Sequence, residues 1–425
     1  MMNDFFLKLE KYIFYIFVFS IPFQARVYIY EWGLSKDEFS SAFLYVTDIF
    51  ILILILFWAY RGFAIKISKC DYLIIVFFGI TSISLFIFEN NGFLAYQLLK
   101  LAEFIFLYLY IKNRRDNFSF DVAIFIFIIS GVFQSFIGIF QFFMQESIGF
   151  KYLGETLLSQ DMAGVAKMDT EDGKIMRPYG TFTHPNVLSA YLFFSIAFFY
   201  YFVLKKVEKI SWLGVSIFSI LFLGFFITFS RSVLLVFALF SLILFFKYKK
   251  NIKMRFYIIL SVVLFLFFSL IFSHEIFSRV NVLRDGENIN LRLVYNNVAN
   301  QIISENVFFG VGSGNFVNSF KIKGVFQEDM QWAYQPVHNS YLLIVSEVGI
   351  FGFSFFLAFF FFILNSLYKI KEDNDFKVIF SGLLFSVALL FLSDHYFWDL
   401  QQGRLMLWFL FGIVAWRIQN NQHYI

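Results

Sequence analysis

Apolar stretches of about 20 residues recur along the chain, and short polar breaks separate them. A helix needs roughly 20 apolar residues to cross about 30 Å of hydrocarbon. The pattern predicts about 12 transmembrane helices, near residues 12–30, 39–60, 71–88, 93–111, 120–143, 182–204, 211–229, 231–246, 256–273, 339–367, 376–393 and 402–418. We therefore expect an all-α polytopic membrane protein that forms a single integral membrane domain over residues 1–425.

The connections between the predicted spans alternate between Lys-rich and Lys-poor. Twenty of the 34 Lys and Arg residues fall in the alternate connections that include residues 61–69, 247–255 and 369–377. Basic connections usually remain in the cytoplasm. This alternation predicts that both termini are cytoplasmic and that the Lys-poor connections face outward.

Composition agrees with a membrane environment and excludes other classes. The chain is 60% hydrophobic and 15% charged, whereas a soluble domain averages about 25% charged residues. Cys70 is the only cysteine, which excludes an intramolecular disulfide and a Cys-rich metal site. No basic patch is interleaved with aromatic residues on a folded domain, so we expect no nucleic-acid partner.

Two outward connections are long, 144–181 and 274–338, and loops of this length are usually functional. The second contains apolar residues at helical spacing, with Asn290 as a possible N-cap. These residues are Leu291, Val294, Tyr295, Val298 and Ile302. We expect short amphipathic helices in this loop, packed at the membrane surface.

Polar residues from distant parts of the sequence are all predicted to lie at the outer face. They are Arg177, His184, Asn186, Arg231, Arg292, His338, Asn339, Asp394, His395 and Arg404. Any single Arg here could simply extend its side chain to the headgroups. As a set, Arg residues suit bidentate binding of a pyrophosphate, and a His can take a proton from a sugar hydroxyl at neutral pH. Together they fit glycosyl transfer from a lipid pyrophosphate donor at the outer leaflet.

His338 opens a predicted span in which Gly349 and Gly352 return to the His338 face of a continuous helix. Small residues on one face would let a neighbouring helix approach and would fix the angle of His338. The alternative is a helix-capping His with an unrelated packing motif. Glu347 falls on the opposite side of the same helix, which predicts a position outside the His338 pocket.

Other polar residues have more than one interpretation. Asp48, Lys100 and Glu103 fall inside spans, where unpaired charges are costly, so we expect mutual pairing or a role in lipid or proton handling. The glycines of the 310–314 segment fit a tight turn or a nest of amides around a phosphate.

Several motifs resemble one family over roughly residues 175–410. They are His338-Asn339-x9-Gly349-x-x-Gly352, the stretch Arg177–Asn186, Ser230-Arg231-Ser232, Arg292 followed by Gly310–Phe316, and the tail Asp394–Arg404. The set is similar to the O-antigen ligase and O-antigen polymerase superfamily of bacterial envelope glycan transferases. The first five spans match this family only in being hydrophobic.

The resemblance implies a GT-C-type transferase in the bacterial cytoplasmic membrane, active at the periplasmic or outer side without a metal or cofactor. Its donor would be an undecaprenyl-pyrophosphate-linked glycan, and its acceptor a lipid A–core or a growing glycan. By analogy, His338 would deprotonate or orient the acceptor hydroxyl. Arg292 and Arg231 would hold the pyrophosphate, with Arg177 a further candidate for that task. Acceptor-binding or orienting roles would fall to Asp394, Asn339, His184, Asn186 and Arg404.

Two alternatives remain open. The same motifs occur in polymerases that extend an O-antigen or capsule glycan on its lipid carrier. A layout of 12 spans also suits a flippase or other transporter. However, transporters bind substrate near the membrane midplane between repeated halves, and this sequence has no internal repeat.

Overall fold

The computed structural model describes residues 4–32, 38–88, 91–114, 118–170, 173–280, 286–326, 328–371 and 373–421, and these are mostly helical. The α-helices are α1 (Asp4–Ser20), α2 (Val46–Tyr60), α3 (Lys69–Ser82), α4 (Ser84–Ile87), α5 (Asn91–Lys112), α6 (Phe120–Met144), α7 (Pro185–Lys205), α8 (Trp212–Phe226), α9 (Arg231–Lys247), α10 (Ile252–Ile271), α11 (Ser273–Val280), α12 (Gly286–Glu305), α13 (Phe316–Ile322), α14 (Ser340–Tyr368), α15 (Asn374–Leu390), α16 (Tyr396–Asp399) and α17 (Gln401–Asn421). Short 3-10 helices occupy Lys151–Leu153 and Glu328–Ala333. Within the described residues there are also four strands: β1 (Arg26–Glu31), β2 (Ser41–Tyr45), β3 (Lys167–Thr170) and β4 (Gly173–Met176).

Six of the predicted spans are confirmed as helices that are long and apolar enough to cross a membrane. They are Lys69–Ile87, Gly92–Lys112, Phe120–Met144, Pro185–Lys205, Ile252–Ile271 and Ser340–Tyr368. The predicted spans at 211–229, 231–246, 376–393 and 402–418 coincide with the helices α8, α9, α15 and α17. The structure is therefore that of a mostly helical membrane protein, and the total of 12 spans stays a prediction.

The first two predicted spans have the wrong boundaries. α1 ends at Ser20, shortly before Pro22, and residues 26–31 pair antiparallel with residues 41–45 instead of continuing a helix. A proline disfavours helical backbone in the residue before it. The Val, Ile and Tyr residues of β1 are as apolar as a span, but their branched and aromatic side chains suit a strand. The prediction from hydropathy alone therefore placed the two strands of a β-hairpin inside the first two spans.

The helices divide into two compact units. The first comprises Met1–Ala25, Asp116–Gly286 and Asp373–Leu390, and the second comprises Arg26–Arg115, Glu287–Glu372 and Phe391–Ile425. In the first unit α7 is almost entirely buried, and it packs on α6, α8 and α15. The predicted loop 144–181 also belongs to this unit and contains the β3–β4 hairpin.

In the second unit, α14 packs on α3, and α17 packs on α5. Rings on three of these helices meet in the core of the unit: the Tyr108 ring lies 5.5 Å from Phe359 and 6.2 Å from Trp408. The predicted loop 274–338 contributes α12, α13 and the 3-10 helix at Glu328–Ala333 to this unit. Helices were expected in this loop, but α12, with 20 residues, is longer than the short helices predicted. Their position at the membrane surface stays a prediction.

α14 is broken at Gly349, which has φ +66° and ψ −178°. The segment that follows α12 fills the break with its backbone. The amides of Val311 and Gly312 donate to the carbonyls of Ser346 and Glu347 at 2.9 and 2.8 Å, and the amide of Ile350 donates to the carbonyl of Val307 at 2.8 Å. The groups that the break removes from the helix are thus bonded again, as an apolar environment requires.

The break corrects the expected role of Gly349. An added Cβ at Gly349 would lie 2.2 Å from the Phe308 carbonyl oxygen, so the close neighbour is loop backbone rather than a packed helix. At Gly352 an added Cβ would first meet Val348 of the same helix. The prediction that both glycines lie on one face of a continuous helix is therefore wrong. Of the two interpretations of the 310–314 segment, the tight turn fits, because the Gly312 amide is already bonded to α14.

The charges predicted inside the spans form a buried network, which confirms their pairing. Lys100 Nζ lies 2.6 Å from Asp48 Oδ1 and 2.9 Å from Glu103 Oε2. The Gln401 amide donates to the same Asp48 oxygen at 2.7 Å. A buried charge without its partner costs several kcal/mol, so this network links α2, α5 and α17 of the second unit.

We expect Gly349→Ala to lower the free energy of unfolding by at least about 2 kcal/mol, because it combines an unfavourable φ with a backbone clash. Gly62→Ala is the matched control. Gly62 has φ +78°, but a Cβ added there would meet no described atom within 4 Å. It should cost only the left-handed strain, about 1 kcal/mol. Thermal unfolding of the purified variants in detergent measures both, and equal losses would contradict the clash.

Candidate active site

Two histidines and one carboxylate meet in the second unit. His338 Nδ1 lies 3.5 Å from Asp394 Oδ1, and His395 Nε2 lies 3.8 Å from the same oxygen. The two imidazole rings are 5.0 Å apart. Asp394 and His395 are buried, whereas His338 is partly exposed. The structure therefore brings His338 and Asp394 together, although 56 residues separate them in the sequence.

The start of α14 positions this cluster. Asn339 caps the helix, and its side-chain oxygen accepts the amides of Tyr341 and Leu342 at 3.0 and 3.2 Å. Ser340 then makes two hydrogen bonds to the segment that follows α15. Its amide donates to the Phe391 carbonyl at 2.8 Å, and its hydroxyl donates to the Asp394 carbonyl at 2.7 Å. His338 and Asp394 are therefore adjacent because a capping residue and a serine fix the backbone of both.

The pKa values of the two histidines are shifted in opposite directions. Burial lowers the pKa of His338 from its usual value; Asp394 opposes this shift, and the charges of His395 and Arg292 add to it. Burial would also lower the pKa of His395, but Asp399, with smaller contributions from Asp394 and Glu347, raises the pKa to about 9. Asp399 lies 2.7 Å from His395 Nδ1. At neutral pH, His338 is thus a neutral base and His395 is a cation.

α12 brings an arginine to the same cluster. Its buried residues are Tyr295, Val298, Ala299 and Ile302, and all but Ala299 were predicted from helical spacing. The Tyr295 ring lies 5.8 Å from the His338 ring, and its hydroxyl donates to the Ala333 carbonyl at 2.9 Å. Arg292 is exposed, and its charge reaches His338, whose pKa it helps to lower.

One detail of the α12 prediction is wrong. The helix begins at Gly286, so Asn290 lies inside it and is not its N-cap. An Asn caps a helix only where the residues before it are not helical. The sequence did not show that residues 286–289 are helical.

Four of the predicted site residues lie in the first unit. Arg177 is buried; its Nε donates to the Thr228 carbonyl and its Nη2 to Asn186 Oδ1, both at 2.8 Å. His184 is the N-cap of α7, and its Nδ1 accepts the amide of Asn186 at 3.1 Å. Arg231 is exposed and is the first residue of α9. Arg177, His184 and Asn186 therefore form a local group of their own.

Arg404 and Glu347 hold α16 in place within the second unit. Arg404 is buried, and its Nε donates to the Trp398 carbonyl at 2.5 Å. The Trp398 indole donates to Glu347 Oε2 at 2.8 Å. Glu347 also makes a small contribution to the raised pKa of His395, and its position outside the His338 pocket stays a prediction.

Sequence reasoning missed the roles of Asp399 and Tyr295. The spacing of His395 and Asp399, four residues apart on a helical turn, was a signal for their pairing. Tyr295 was recognised as part of an apolar face, but nothing in its spacing indicated a contact with His338.

The cluster also has the composition of a possible metal site. His338, Asp394 and His395 each offer one ligand atom, and these atoms lie within 4.8 Å of one another. A metal-binding imidazole must be neutral. The Asp399 carboxylate instead favours the protonated form of His395, so a metal would have to displace that proton.

The family model described as O-antigen ligase matches residues 216–357. The matched segment begins in α8, ends in α14 and contains Arg231, Arg292, His338 and Asn339. Arg177, Asp394 and Arg404 lie outside it. Comparison with the curated proteins gave no match.

We expect Asp399→Asn to lower the pKa of His395 from about 9 toward the ordinary value of about 6.5, because the main raising charge is lost. Titration of the ring signals of 13C-labelled histidine by NMR measures this, and His395→Gln assigns the signal among the five histidines. Glu305→Gln, which removes an exposed carboxylate paired with Lys323, should leave the signal unchanged. A His395 pKa near 9 in Asp399→Asn would contradict the assignment.

Proposed function

We propose that this chain, which has an O-antigen ligase-like domain over residues 216–357, is a glycosyltransferase of the bacterial cytoplasmic membrane. It would move an undecaprenyl-pyrophosphate-linked glycan to an acceptor hydroxyl at the outer face, with both termini in the cytoplasm. The observation that carries the proposal is the neutral His338 beside Asp394, with the charge of Arg292 in reach. This combination supplies a base and a cation for a leaving pyrophosphate.

In the proposed step, the acceptor oxygen attacks the anomeric carbon of the donor sugar. The bond from that carbon to the pyrophosphate oxygen breaks, and undecaprenyl pyrophosphate leaves with the electron pair. The acceptor proton passes to His338. Its Nδ1 is buried, so Nε2 is the nitrogen that accepts this proton. A single displacement of this kind inverts the configuration at the anomeric carbon.

Asp394 orients His338 in this proposal. Its distance of 3.5 Å from Nδ1 is long for a hydrogen bond. Catalytic hydrogen bonds are often long without substrate and shorten in the complex. When His338 takes the acceptor proton, the carboxylate stabilises the imidazolium that forms. Asn339 orients the same ring indirectly, because it fixes the start of α14.

Arg292 is the proposed phosphate ligand, because its exposed guanidinium can form a bidentate pair with a phosphate. Arg231 is proposed for the same task because it is also exposed and lies in the matched domain. The guanidinium of Arg177 already bonds to Thr228 and Asn186. This bonding supports a role in positioning the 177–186 segment, in which His184 and Asn186 remain candidates for acceptor binding.

Arg404 is better suited to orient than to bind acceptor. Its guanidinium is buried and donates to the Trp398 carbonyl and, at 3.3 Å, to Gln97 Oε1. Through α16 it fixes the backbone that carries His395 and Asp399. A lipid A–core acceptor and a growing glycan both present a sugar hydroxyl, so this site chemistry serves a ligase and a polymerase alike.

We expect His338→Ala to lower transfer by about 10²–10⁴-fold, the usual contribution of a general base. The assay measures transfer from purified lipid-linked donor to acceptor in detergent. His274→Ala, which changes an exposed histidine of α11, should transfer at the wild-type rate. Wild-type transfer by a well-folded His338→Ala protein would refute the assignment of the base.

The surface glycan of a strain with His338→Ala distinguishes the two acceptors. A ligase defect leaves full-length glycan on the carrier, which is the result that we expect. Single repeat units on the carrier would instead identify a polymerase.

We further propose that transfer needs no metal, because Asp399 lies 2.7 Å from His395 Nδ1 and favours the protonated imidazole over a metal ligand. Dialysis against EDTA should therefore leave the transfer rate unchanged. As a comparison, His395→Gln in the same assay reports whether the cation itself is needed. Loss of transfer in EDTA that Mg²⁺ or Mn²⁺ restores would contradict this proposal and favour the metal arrangement of His338, Asp394 and His395.

A further inference from the structure

A cavity with lysines in its lining lies in the second unit, apart from the histidine cluster. Its volume is about 780 Å³, which falls within the roughly 300–1,000 Å³ typical of ligand sites. Residues at the ends of four helices line it: the N-terminus of α3 and the C-termini of α5, α14 and α17. The proposed transfer reaction does not use it.

Five lysines line this cavity, namely Lys66, Lys69, Lys112, Lys369 and Lys371. No Asp or Glu is among its described lining residues. Lys112 is buried and is neutralised by Asp71, a buried carboxylate that also accepts the Tyr108 hydroxyl at 2.7 Å. The other four lysines are exposed. The cavity therefore has an excess of positive charge at its rim.

The interior of the same cavity is apolar. Ile363, Ile370 and Ala415 are buried parts of its wall. An inorganic anion would gain nothing from this wall, whereas an amphiphile with an anionic head would match both parts. Basic pockets between transmembrane helices on the cytoplasmic side are known to suit the head groups of anionic lipids.

The lining lysines belong to the connections whose positive charge predicts the cytoplasmic side. A lipid of that leaflet would enter with its phosphate at the level of these lysines and its acyl chains toward the helices. We propose that this cavity binds the head group and upper acyl chains of an anionic glycerophospholipid. Lys369 and Lys371, at the end of α14, contact its phosphate, and the lipid joins the ends of α3, α5, α14 and α17.

The experiment measures binding of a fluorescent phosphatidylglycerol to the purified full chain in neutral detergent. The double variant Lys369→Gln/Lys371→Gln should weaken binding roughly 25-fold, about fivefold for each lysine. The matched control is Lys249→Gln/Lys250→Gln, which removes two exposed lysines of the α9–α10 connection outside the cavity. It should bind the lipid as the wild type does.

A second variant tests the cavity without changing charge. Ser366 is a half-buried residue of the wall, and Ser366→Trp fills the space beside the lysines. It should reduce lipid binding at least tenfold while the lysines remain. Phosphatidylcholine should compete weakly in the wild type, and added salt should weaken binding of phosphatidylglycerol.

Two results would overturn the proposal. One is equal loss of binding in the cavity and control double variants, which would mean a diffuse attraction to any lysines. The other is competition by glycerol phosphate as effective as that by phosphatidylglycerol, which would mean a site for free anions. Both measurements concern lipid binding alone, so they leave the transferase proposal untouched.

Discussion

The backbone hydrogen bonds across the break in α14 are the constraint on which the second unit depends. They join residues 307–312 to residues 346–351, and the first of these segments directly follows α12. Arg292 and Tyr295 are therefore held in register with the start of α14, where His338 lies. An unsatisfied amide or carbonyl in an apolar interior costs several kcal/mol. The break and the loop that fills it must consequently form together.

Around this fixed backbone, nearby charges give two similar side chains different chemistry. His338 and His395 are 5.0 Å apart, yet one is kept neutral by burial and the other is protonated by Asp399. Asp394 lies between them and serves both rings. Glu347 and Arg404 both bond to Trp398 of α16, so they help to set where His395 and Asp399 lie. The proposed transfer would use this separation, since a base and a cation would act at the same time.

Much of this arrangement was predictable, and the reason differs from element to element. The later helices were located within a few residues because hydrocarbon thickness sets their length. Lys100 and Glu103 were paired correctly because they are three residues apart and an unpaired charge is costly there. β1 was mistaken for part of a span because a run of Val, Tyr and Ile has the same hydropathy in a strand. The break at Gly349 depends on a segment about 40 residues earlier, and no local pattern reports such a contact.

The position of His338 directly before the cap of α14 has an electrical consequence. The peptide dipoles of a helix place partial positive charge at its N-terminus, and His338 stands at that end. This field disfavours a positive charge on the His338 ring, so it lowers the pKa of His338 as burial does. His395 also stands at a helix N-terminus, that of the single turn α16, but the Asp399 carboxylate lies 2.7 Å from its Nδ1. The two rings therefore differ in protonation at neutral pH, and in the proposed transfer only His338 would be free to accept the acceptor proton.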